Sequence, residues 1–362
     1  MNKKLKIFLY CTMLLTACTA NDTESGTNVY DENRPIGWAS VNGVTDGSGG
    51  RNSVTVTSLD ELIEALSGTE PKTIMVKDSI RFHGVVVVEK AANKTLLGMP
   101  GSLLYNPIHS DLIEESGILL FRSCRNIIMR NLTFRSEGAY DIDGYDNLAL
   151  EGCEHVWVDH CDFLDGVDGN FDIVEGSDYV SVTWCRFRYL IPAWTGGSGG
   201  SDNHCNSNLV GNSDKKALTD STHLNVTFAN CWWDKGCSER MPRMRFGRAH
   251  IFNCLYTCTD NVYCIGAGYH SNIYAENNAF INVNMPWKLW ATKPGYTDYA
   301  IRMVNNMGVE DVTSRSGGED FYHPDYPYRL CEATKVPAVV GDERNGAGAT
   351  LLFQNLVDGY EH

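Results

Sequence analysis

Val158-Asp-His-Cys-Asp-Phe163 is followed 24 residues later by Val182-Thr-Trp-Cys-Arg-Phe187. Both stretches close a short apolar run with a cysteine and place an aromatic side chain two positions after it. The same ending recurs at four later positions, with Cys or Asn in the closing place: Cys231, Cys254, Asn278 and Asn306. The intervals are 24, 46, 23, 24 and 28 residues, and we interpret the interval of 46 as two coils of 23.

A repeat of this length is typical of a solenoid. Between the endings the chain carries short β-rich runs that break at Gly, Asn, Asp or Ser, and it lacks long amphipathic helical patterns. The pattern therefore predicts an all-β fold, a parallel β-helix with coils of about 23 residues. In such a fold each coil is one layer, and neighbouring coils close its strand edges.

The closing Cys or Asn is expected to stack on its equivalents inside the helix. An Asn amide there bridges the backbones of adjacent turns, and a Cys fills the same place as a small apolar side chain. The aromatic residues two positions on are expected to form an inner stack of their own: Phe163, Phe187, Trp233, Tyr256 and Phe280.

One short N-terminal segment, from Ser58 to Leu66, does fit a helix. Ser58 is a suitable N-cap, Glu61 follows three residues later, and an apolar stripe runs along one face. We expect this helix to be the only good one in the chain.

The composition is that of a folded protein rather than a disordered one. The chain has 362 residues, 43% of them hydrophobic and 21% charged. Asp and Glu number 45 against 30 Lys and Arg, a net charge of −15. This sign argues against a nucleic-acid partner. The surplus of acid is explained by solubility or by cation binding, and composition alone does not separate the two.

The pattern of the first 33 residues predicts that the protein is exported. Three lysines precede an apolar run, Leu5 to Ala17, that is too short to span a membrane. The run ends in Leu15-Thr-Ala-Cys18, which resembles the lipobox of bacterial lipoproteins. We expect residues 1–17 to be a lipoprotein signal peptide, Cys18 the lipidation site, 18–33 a flexible tether, and 34–362 the β-helix domain with a C-terminal tail. The resemblance implies a Gram-negative outer-membrane lipoprotein, in the periplasm or at the cell surface, that meets the membrane only through its lipid.

Thirteen cysteines are present, and eleven remain once Cys11 and Cys18 are set aside. An odd number cannot all pair, so at least one thiol is expected to be free. The chain has no Cys-x-x-Cys motif, which argues against a zinc ribbon or a thioredoxin-like site. We interpret Cys161, Cys185, Cys231 and Cys254 as stacking residues rather than metal ligands.

A second motif is the string Arg240-Met-Pro-Arg-Met-Arg245-Phe-Gly. It places Arg240, Arg243 and Arg245 within six residues, and on a strand the last two point to one face. Dense arginine in an acidic protein favours a local anion site over a solvated basic edge.

A third motif is acidic. Asp168 and Asp172 lie four residues apart, and Asp146 lies about one coil earlier. The three carboxylates could converge on a hard cation such as Ca²⁺, which prefers oxygen ligands and tolerates irregular geometry. Solvated turn residues are the alternative at this point, since acidic turns are common without a metal.

Together these strings resemble the pectate lyases of polysaccharide lyase family 1. The resemblance runs from about Gly37 to Tyr328 and rests on four motifs in family order and spacing: Trp157-Val-Asp-His160, Asp168 to Asp172, Leu209-Val-Gly-Asn-Ser-Asp214, and Arg240 to Gly247 followed by His250 to Asn253. It implies a single-stranded right-handed parallel β-helix. It also implies calcium-assisted β-elimination along polygalacturonate, which leaves a 4,5-unsaturated uronate.

The resemblance also implies roles for single residues. Arg240 opens the Arg-x-Pro-x-x-Arg string and is the implied catalytic base, and Arg245 closes it and is implied to hold a uronate carboxylate. The implied calcium ligands are Asp146, Asp168 and Asp172. We expect Arg243, Arg245 and bound calcium to favour the neutral form of Arg240.

One expected residue is missing. Family members commonly carry a substrate-binding Lys shortly before the Leu-Val-Gly string, and here that stretch is His204-Cys-Asn-Ser-Asn208. His204, Arg243 and Lys288 are the candidates to bind substrate in its place. The preceding loop, Trp194 to Asp202, is expected to be long and flexible.

Three alternatives are less well supported. A pectin lyase, acting on methyl-esterified polymer without calcium, would be expected to lack the metal carboxylates. A polygalacturonase needs paired carboxylic acids, and no second acidic cluster accompanies the arginines. A non-catalytic polysaccharide-binding β-helix would not need Arg240 and three aspartates together.

His160 beside Asp159 is interpreted as a stacking residue, because no Gly-x-Ser-x-Gly string accompanies it. We expect the protein to be a monomer.

Overall fold

The computed structural model describes residues 33–318 and 320–352. The predicted signal peptide, the lipidation site at Cys18 and nearly all of the predicted tether lie outside the described residues.

The described residues form 27 strands, most of them three to six residues long. In the first half of the chain they are Val54–Val56 (β1), Lys72–Val76 (β2), Ser79–Arg81 (β3), Val86–Glu89 (β4), Ala92–Gly98 (β5), Leu103–Tyr105 (β6), Leu119–Arg122 (β7), Arg125–Arg130 (β8), Thr133–Arg135 (β9), Leu148–Glu151 (β10), Glu154–Asp159 (β11), Asp162–Leu164 (β12), Phe171–Val174 (β13) and Asp178–Thr183 (β14). In the second half they are Arg186–Arg188 (β15), Leu209–Val210 (β16), Asn225–Ala229 (β17), Trp232–Trp233 (β18), Arg243–Met244 (β19), Arg248–Phe252 (β20), Leu255–Tyr256 (β21), Ile265–Ala267 (β22), Asn272–Glu276 (β23), Ala279–Phe280 (β24), Trp287–Leu289 (β25), Tyr299–Val304 (β26) and Val312–Ser316 (β27).

The strands assemble into three parallel sheets that the chain visits in rotation. Sheet A has the order β1-β2-β5-β8-β11-β14-β17-β20-β23-β26-β27. Sheet B runs from β3 to β24 and sheet C from β4 to β25, each with eight strands. Eight successive coils, from β2 to β25, each contribute one strand to every sheet, so the predicted parallel β-helix is confirmed.

The interpretation of the 46-residue interval as two coils is wrong. Val180 on β14 pairs directly with Val226 on β17, so the whole interval is one coil. Its extra length lies in two excursions, 189–208 and 211–224, that leave the sheets and return. A sequence interval of twice the period is produced equally by two coils or by one coil with long loops. The spacing of the repeated ending therefore cannot distinguish the two, and the strand pairing is needed to decide.

The predicted ladder of Cys and Asn is present. Asn278 accepts a hydrogen bond from the backbone N–H of Cys254 at 2.8 Å, and Asn306 accepts one from the N–H of Asn278 at 2.9 Å. Each cysteine thiol donates to a carbonyl of the preceding coil, as Cys231 does to Val182 at 3.3 Å. The four predicted cysteines are fully buried free thiols, and burial raises the pKa of Cys254 well above its usual range.

The inner aromatic stack is also confirmed. Neighbouring rings lie nearly parallel, with centroids 4.4 to 5.5 Å apart, from Phe163 through Phe187, Trp233 and Tyr256 to Phe280. Phe134 extends the stack by one coil at the N-terminal end. Stacked rings add directional stabilisation to the burial of apolar surface in the core.

The two ends of sheet A are closed differently. Helix α1 (Leu59–Leu66) packs at the first coils, and its N-cap Ser58 forms the predicted capping box with Glu61. At the far end, β27 turns back and pairs antiparallel with β26. Two shorter helices, Ala217–Asp220 (α2) and Val336–Val340 (α3), and two 3-10 helices, Gly37–Ser40 and Ile113–Glu115, lie outside the sheets. The helices in the described part of the chain are all too short or too polar to cross a membrane.

Candidate active site

The outer face of sheet C carries the predicted functional side chains. On β13, Phe171 and Ile173 point into the core, so Asp172 between them faces outward. Arg243 on β19 and Lys288 on β25 lie on one row of the sheet, because both pair in register with Gly266 of β22. The loops that directly precede or follow the strands of sheet C carry the remaining residues.

Two of the three predicted metal ligands, Asp146 and Asp172, meet there at Gly169, whereas Asp168 groups with Asp141 and His204. An added Cβ at Gly169 would lie 2.5 Å from Oδ1 of Asp146 and 3.6 Å from Oδ1 of Asp172. The two carboxylates therefore flank a position that only glycine leaves open. Asp168, the residue before Gly169, lies close enough for its charge to influence both of them.

The pKa values of these carboxyls reflect crowding and burial. Burial first, and then the charges of Asp172 and Asp168, raise the pKa of Asp146 well above its ordinary value. Burial also raises the pKa of Asp172, to about 7, although Arg240 and the backbone N–H of Leu209 lower it. Carboxylates this close repel one another when no cation is present. A bound cation offsets the repulsion, so the group is expected to bind one.

The donor set fits calcium. Asp146 is buried, and its Oδ1 has no hydrogen-bond partner among the described residues. An unpaired buried carboxylate oxygen is costly unless a cation or a proton satisfies it. The carboxylates of Asp146, Asp168 and Asp172 supply the hard oxygen ligands that calcium prefers.

Arg240 follows the short bridge between Asn206 and Glu239 at the edge of this group. Its backbone adopts a φ of 61°, and its Nε is buried without a hydrogen-bond partner among the described residues. Burial lowers the pKa of Arg240, but the charges of Asp172 and Asp168 outweigh burial, so the pKa lies above its ordinary value. The charges of these two aspartates therefore oppose the expected shift toward the neutral form.

Arg243 shows that shift instead. Burial, together with the positive charges of Arg245 and Arg240, lowers the pKa of Arg243 to about 10. Its guanidinium lies 4.3 Å from the ring centroid of Trp290, and the ammonium of Lys288 lies 4.4 Å from the same ring. Trp290 thus holds two cations side by side on the outer face of sheet C.

Arg245 is fixed by its surroundings. Its Nε donates to Oδ1 of Asp214 at 2.8 Å, and its Nη1 donates to the carbonyl of Gly211 at 2.8 Å. A guanidinium has five N–H groups in a rigid fork, so others remain to pair with a carboxylate. The cleft around it, lined also by Lys293 and Tyr296, is open to solvent and has a volume of about 210 Å³.

His204 contacts two carboxylates. Its Nε2 lies 2.9 Å from Oδ1 of Asp168, and its Nδ1 lies 3.3 Å from Oδ1 of Asp141. These three side chains form a group that could hold a metal ion. Asp141 carries no signal in the sequence, because nothing in its spacing sets it apart from other acidic turn residues.

The loop before His204 is tied to Asp141, whereas the sequence predicted a flexible segment. The backbone N–H of Ser201 donates to Oδ2 of Asp141 at 2.7 Å, and the N–H of Gly199 donates to its carbonyl at 2.8 Å. An added Cβ at Gly197 would lie 2.2 Å from the same carbonyl oxygen, so only glycine permits this approach.

His160 has the structural role that was expected. Its ring stacks on Trp184 with centroids 5.5 Å apart, and its Nδ1 lies 2.8 Å from Asp159, which also pairs with the buried Arg130. Burial alone would raise the pKa of Asp159, but the charges of His160 and Arg130 hold it below its ordinary value.

A parallel β-helix that gathers three aspartates and three arginines beside one outer sheet defines the class of polysaccharide lyases. The chain belongs to the pectate lyase family, whose model matches residues 12–288.

Named relatives agree with this assignment. "Probable pectate lyase B" of Aspergillus flavus is 31% identical over 328 residues, which cover 87% of this chain and 89% of that protein. "Probable pectate lyase B" of Aspergillus terreus is 29% identical and covers 86% of this chain and 90% of its own. A "Pectate trisaccharide-lyase" of Thermotoga maritima is 29% identical over 69% of this chain and 64% of its own.

Solved structures show the same fold. A pectate lyase bound to a hexasaccharide matches with a TM-score of 0.68 at 20% identity, covering 89% of this chain and all of that one. The pectate lyase pelN from Paenibacillus sp. 0602 matches with a TM-score of 0.69 at 17% identity, covering 91% of this chain and 99% of that one.

Proposed function

We propose that the protein cleaves polygalacturonate, the de-esterified form of pectin, by calcium-assisted β-elimination. The observation that carries the proposal is the pair of buried carboxylates, Asp146 and Asp172, that flank Gly169 close enough to interact with the charges of Asp168 and Arg240. Arg243 and Arg245 follow Arg240 on and directly after β19. An anionic polymer explains why an acidic protein keeps this arginine cluster in its cleft.

The reaction breaks the C5–H bond and the C4–O bond of one uronate and forms the C4–C5 double bond. The bridging oxygen leaves with the C4–O electron pair on the neighbouring sugar and takes up a proton from water to become a hydroxyl group. Calcium held by the three aspartates would supply Lewis-acid polarisation of the uronate carboxylate, which increases the acidity of C5–H. Arg245, fixed by Asp214, pairs with that carboxylate and stabilises the negative charge that develops beside it. Arg240 in its neutral form accepts the C5 proton, and calcium bound by the aspartates would favour that form by offsetting the charges of Asp168 and Asp172. This role rests on its place in the Arg-x-Pro-x-x-Arg string.

One assay tests this function. The purified protein is mixed with polygalacturonate, with excess chelator and after calcium is restored, and the ultraviolet absorbance of the unsaturated product is followed. We expect product only when calcium is available. Full activity in excess chelator would contradict the calcium role and favour a pectin lyase, and absence of product under every condition would favour a non-catalytic binding protein.

We further propose that the protein is an outer-membrane lipoprotein anchored through Cys18, exposed at the cell surface or in the periplasm. The lipobox-like ending of the first apolar run supports this proposal. Several acyl chains hold a protein on a membrane firmly, whereas one chain holds it only marginally. Cys18→Ser should therefore move the protein from the membrane fraction to the soluble fraction, and an unchanged membrane fraction would contradict the anchor. Light scattering of the soluble form tests the proposed monomer.

A further inference from the structure

The cleft beside Arg245 lies at the carboxyl ends of the strands of sheet C. Its walls come from the loops that follow β16, β19 and β25, and they include Asp214, Arg245, Lys293 and Tyr296. Its volume of about 210 Å³ is below the roughly 300 Å³ at which pockets for drug-sized ligands begin. The cleft therefore suits one sugar unit of a polymer, and its opening to solvent lets the neighbouring units continue outside.

The turn that carries Lys293 is rigid. The backbone N–H of Tyr296 donates to the carbonyl of Lys293 at 2.9 Å, and Gly295 has a φ of 80°. Pro294 and Gly295 thus fill the two central positions in the pattern of a type II turn, where proline presets its own φ and glycine adopts a positive φ without strain. The ring of Tyr296 packs edge-on against Tyr269, with centroids 5.0 Å apart. The turn therefore fixes the backbone of Lys293 before any ligand binds, which lowers the entropic cost of binding.

The carboxylate of Asp214 joins Lys293 to the candidate active site. The Nε of Arg245 donates to Oδ1 of Asp214 at 2.8 Å, and the Nζ of Lys293 lies 4.0 Å from Oδ2 of the same carboxylate. The loop that carries Asp214 is itself held in place, because Lys216 pairs with Glu175 at 2.8 Å. Arg245 and Lys293 therefore lie beside the two oxygens of one carboxylate, close enough for a single ligand to contact both cations.

The cleft carries more positive than negative charge. Of the described residues that line it, Lys215, Arg245 and Lys293 are cationic and Asp214 alone is acidic. Asp214 is already paired with Arg245, whereas the side chain of Lys293 is 75% exposed and its ammonium has no hydrogen bond to any residue that the structure describes. Lys293 thus keeps its three N–H donors for a ligand. An anion in the cleft would meet two cations without breaking the ion pair between Asp214 and Arg245.

We propose that Lys293 is a specificity-determining residue that binds, together with Arg245, the carboxylate of a galacturonate unit in this cleft. The proposal rests on the proposed function, in which Arg245 holds that carboxylate. Arg245 supplies a rigid fork of N–H groups, and Lys293 adds a compact charge on a flexible stem. A methyl-esterified unit carries no charge to pair with the two cations, so Lys293 increases the preference of the cleft for the free acid.

Three variants test this role. Lys293→Gln removes the charge, Lys293→Arg keeps it, and Lys235→Gln is the matched control, since Lys235 is an exposed lysine that follows β18 of sheet B. Binding of trigalacturonate and of its methyl ester is measured by calorimetry in excess chelator, so that turnover does not intervene, at low and at high salt. The values of kcat and KM are then measured on polygalacturonate with calcium restored.

We expect Lys293→Gln to weaken binding of the free acid and to raise KM about 2- to 5-fold, as is typical when one partner of an exposed ion pair is lost, with kcat within about 2-fold. The effect should shrink with added salt, and the methyl ester should bind equally well to the parent protein and the variant. Lys293→Arg should restore most of the affinity, and Lys235→Gln should change neither binding nor KM.

An unchanged KM and affinity in Lys293→Gln, or equal losses on acid and ester, would overturn the role of Lys293. A loss as large in Lys235→Gln would assign the effect to the overall charge of the protein and overturn it as well. Free acid that binds through Lys293 but is not cleaved once calcium is restored would support the role of Lys293 and overturn the proposed function instead.

Discussion

The imidazole of His204 joins two carboxylates, with Nε2 2.9 Å from Oδ1 of Asp168 and Nδ1 3.3 Å from Oδ1 of Asp141. Both ring nitrogens are therefore engaged within the protein. This geometry favours a role in orienting Asp168, whereas the sequence suggested direct contact with substrate, a prediction that no observation yet tests.

The first prediction follows from that contact. His204→Gln keeps a polar side chain but cannot reach both carboxylates, so Asp168 loses its support. Loss of a residue that orients a metal ligand typically weakens metal affinity about 10- to 100-fold. Calcium titration by calorimetry, without substrate, measures the effect, and His223→Gln is the control on a histidine bonded to Thr219. If the variant kept its calcium affinity but had a raised KM for polygalacturonate, His204 would be a substrate-binding residue instead.

The second prediction concerns the base. Arg240→Lys keeps a positive charge but places a differently shaped group on a flexible stem. We expect kcat to fall about 10²- to 10⁴-fold, as is typical when a general base is lost, with little change in KM. Arg248→Lys, at an exposed position of β20, is the control. A variant that kept its kcat and lost only affinity would show Arg240 to be a binding residue, and the base would be sought at Arg243.

The third prediction separates binding from proton transfer. Arg245→Ala should raise KM and lower kcat together, because the same guanidinium pairs with the carboxylate before and during the reaction. Asp214→Asn, which removes the charged partner of Arg245 but keeps its shape, should give a smaller change of the same kind. Steady-state kinetics on polygalacturonate measures both. A fall in kcat at constant KM would contradict the ground-state contact.

The fourth prediction is a pH effect on stability. His250 is fully buried between the hydroxyl of Tyr326, 2.9 Å from its Nδ1, and Glu276, 3.1 Å from its Nε2. Burial lowers the pKa of His250 below 6.5, although Glu276 raises it. Below that pH His250 is protonated in the unfolded chain but stays neutral in the folded protein. Because protonation then stabilises only the unfolded chain, the free energy of unfolding falls, by at most about 1.4 kcal/mol per pH unit.

His250→Gln should reduce this loss of stability at acidic pH, because glutamine does not take up a proton. Thermal unfolding of both proteins between pH 7.5 and pH 5.5 is the measurement, and His83→Gln outside the network is the control. A variant whose melting temperature fell as steeply as that of the parent protein would assign the loss to other groups.

The sequence predicted the coil and its interior well, because a stacked side chain must recur at nearly constant spacing. It did not predict the ladder of Cys124, Cys153 and Ser177 on the other side of the coil, where Ser177 accepts from the N–H of Cys153 at 3.1 Å. Its last interval, 24, equals one in the first ladder, but this ladder has only three members and changes from Cys to Ser, so no repeated ending marks it. The positions of Asp141 and Trp194 could not be predicted from the sequence either. The paths of the two loops that carry them depend on contacts between residues distant in sequence.

The reversed direction of β27 has a consequence for assembly. A stack of parallel coils ends in unpaired backbone groups, and such an edge is a template on which another chain can grow into a fibre. Because β27 pairs antiparallel with β26 and carries Arg315 among its alternating half-exposed residues, it offers an incoming parallel coil neither the right polarity nor an apolar face. The reversed, polar last strand of sheet A thus disfavours end-to-end growth of the coil stack.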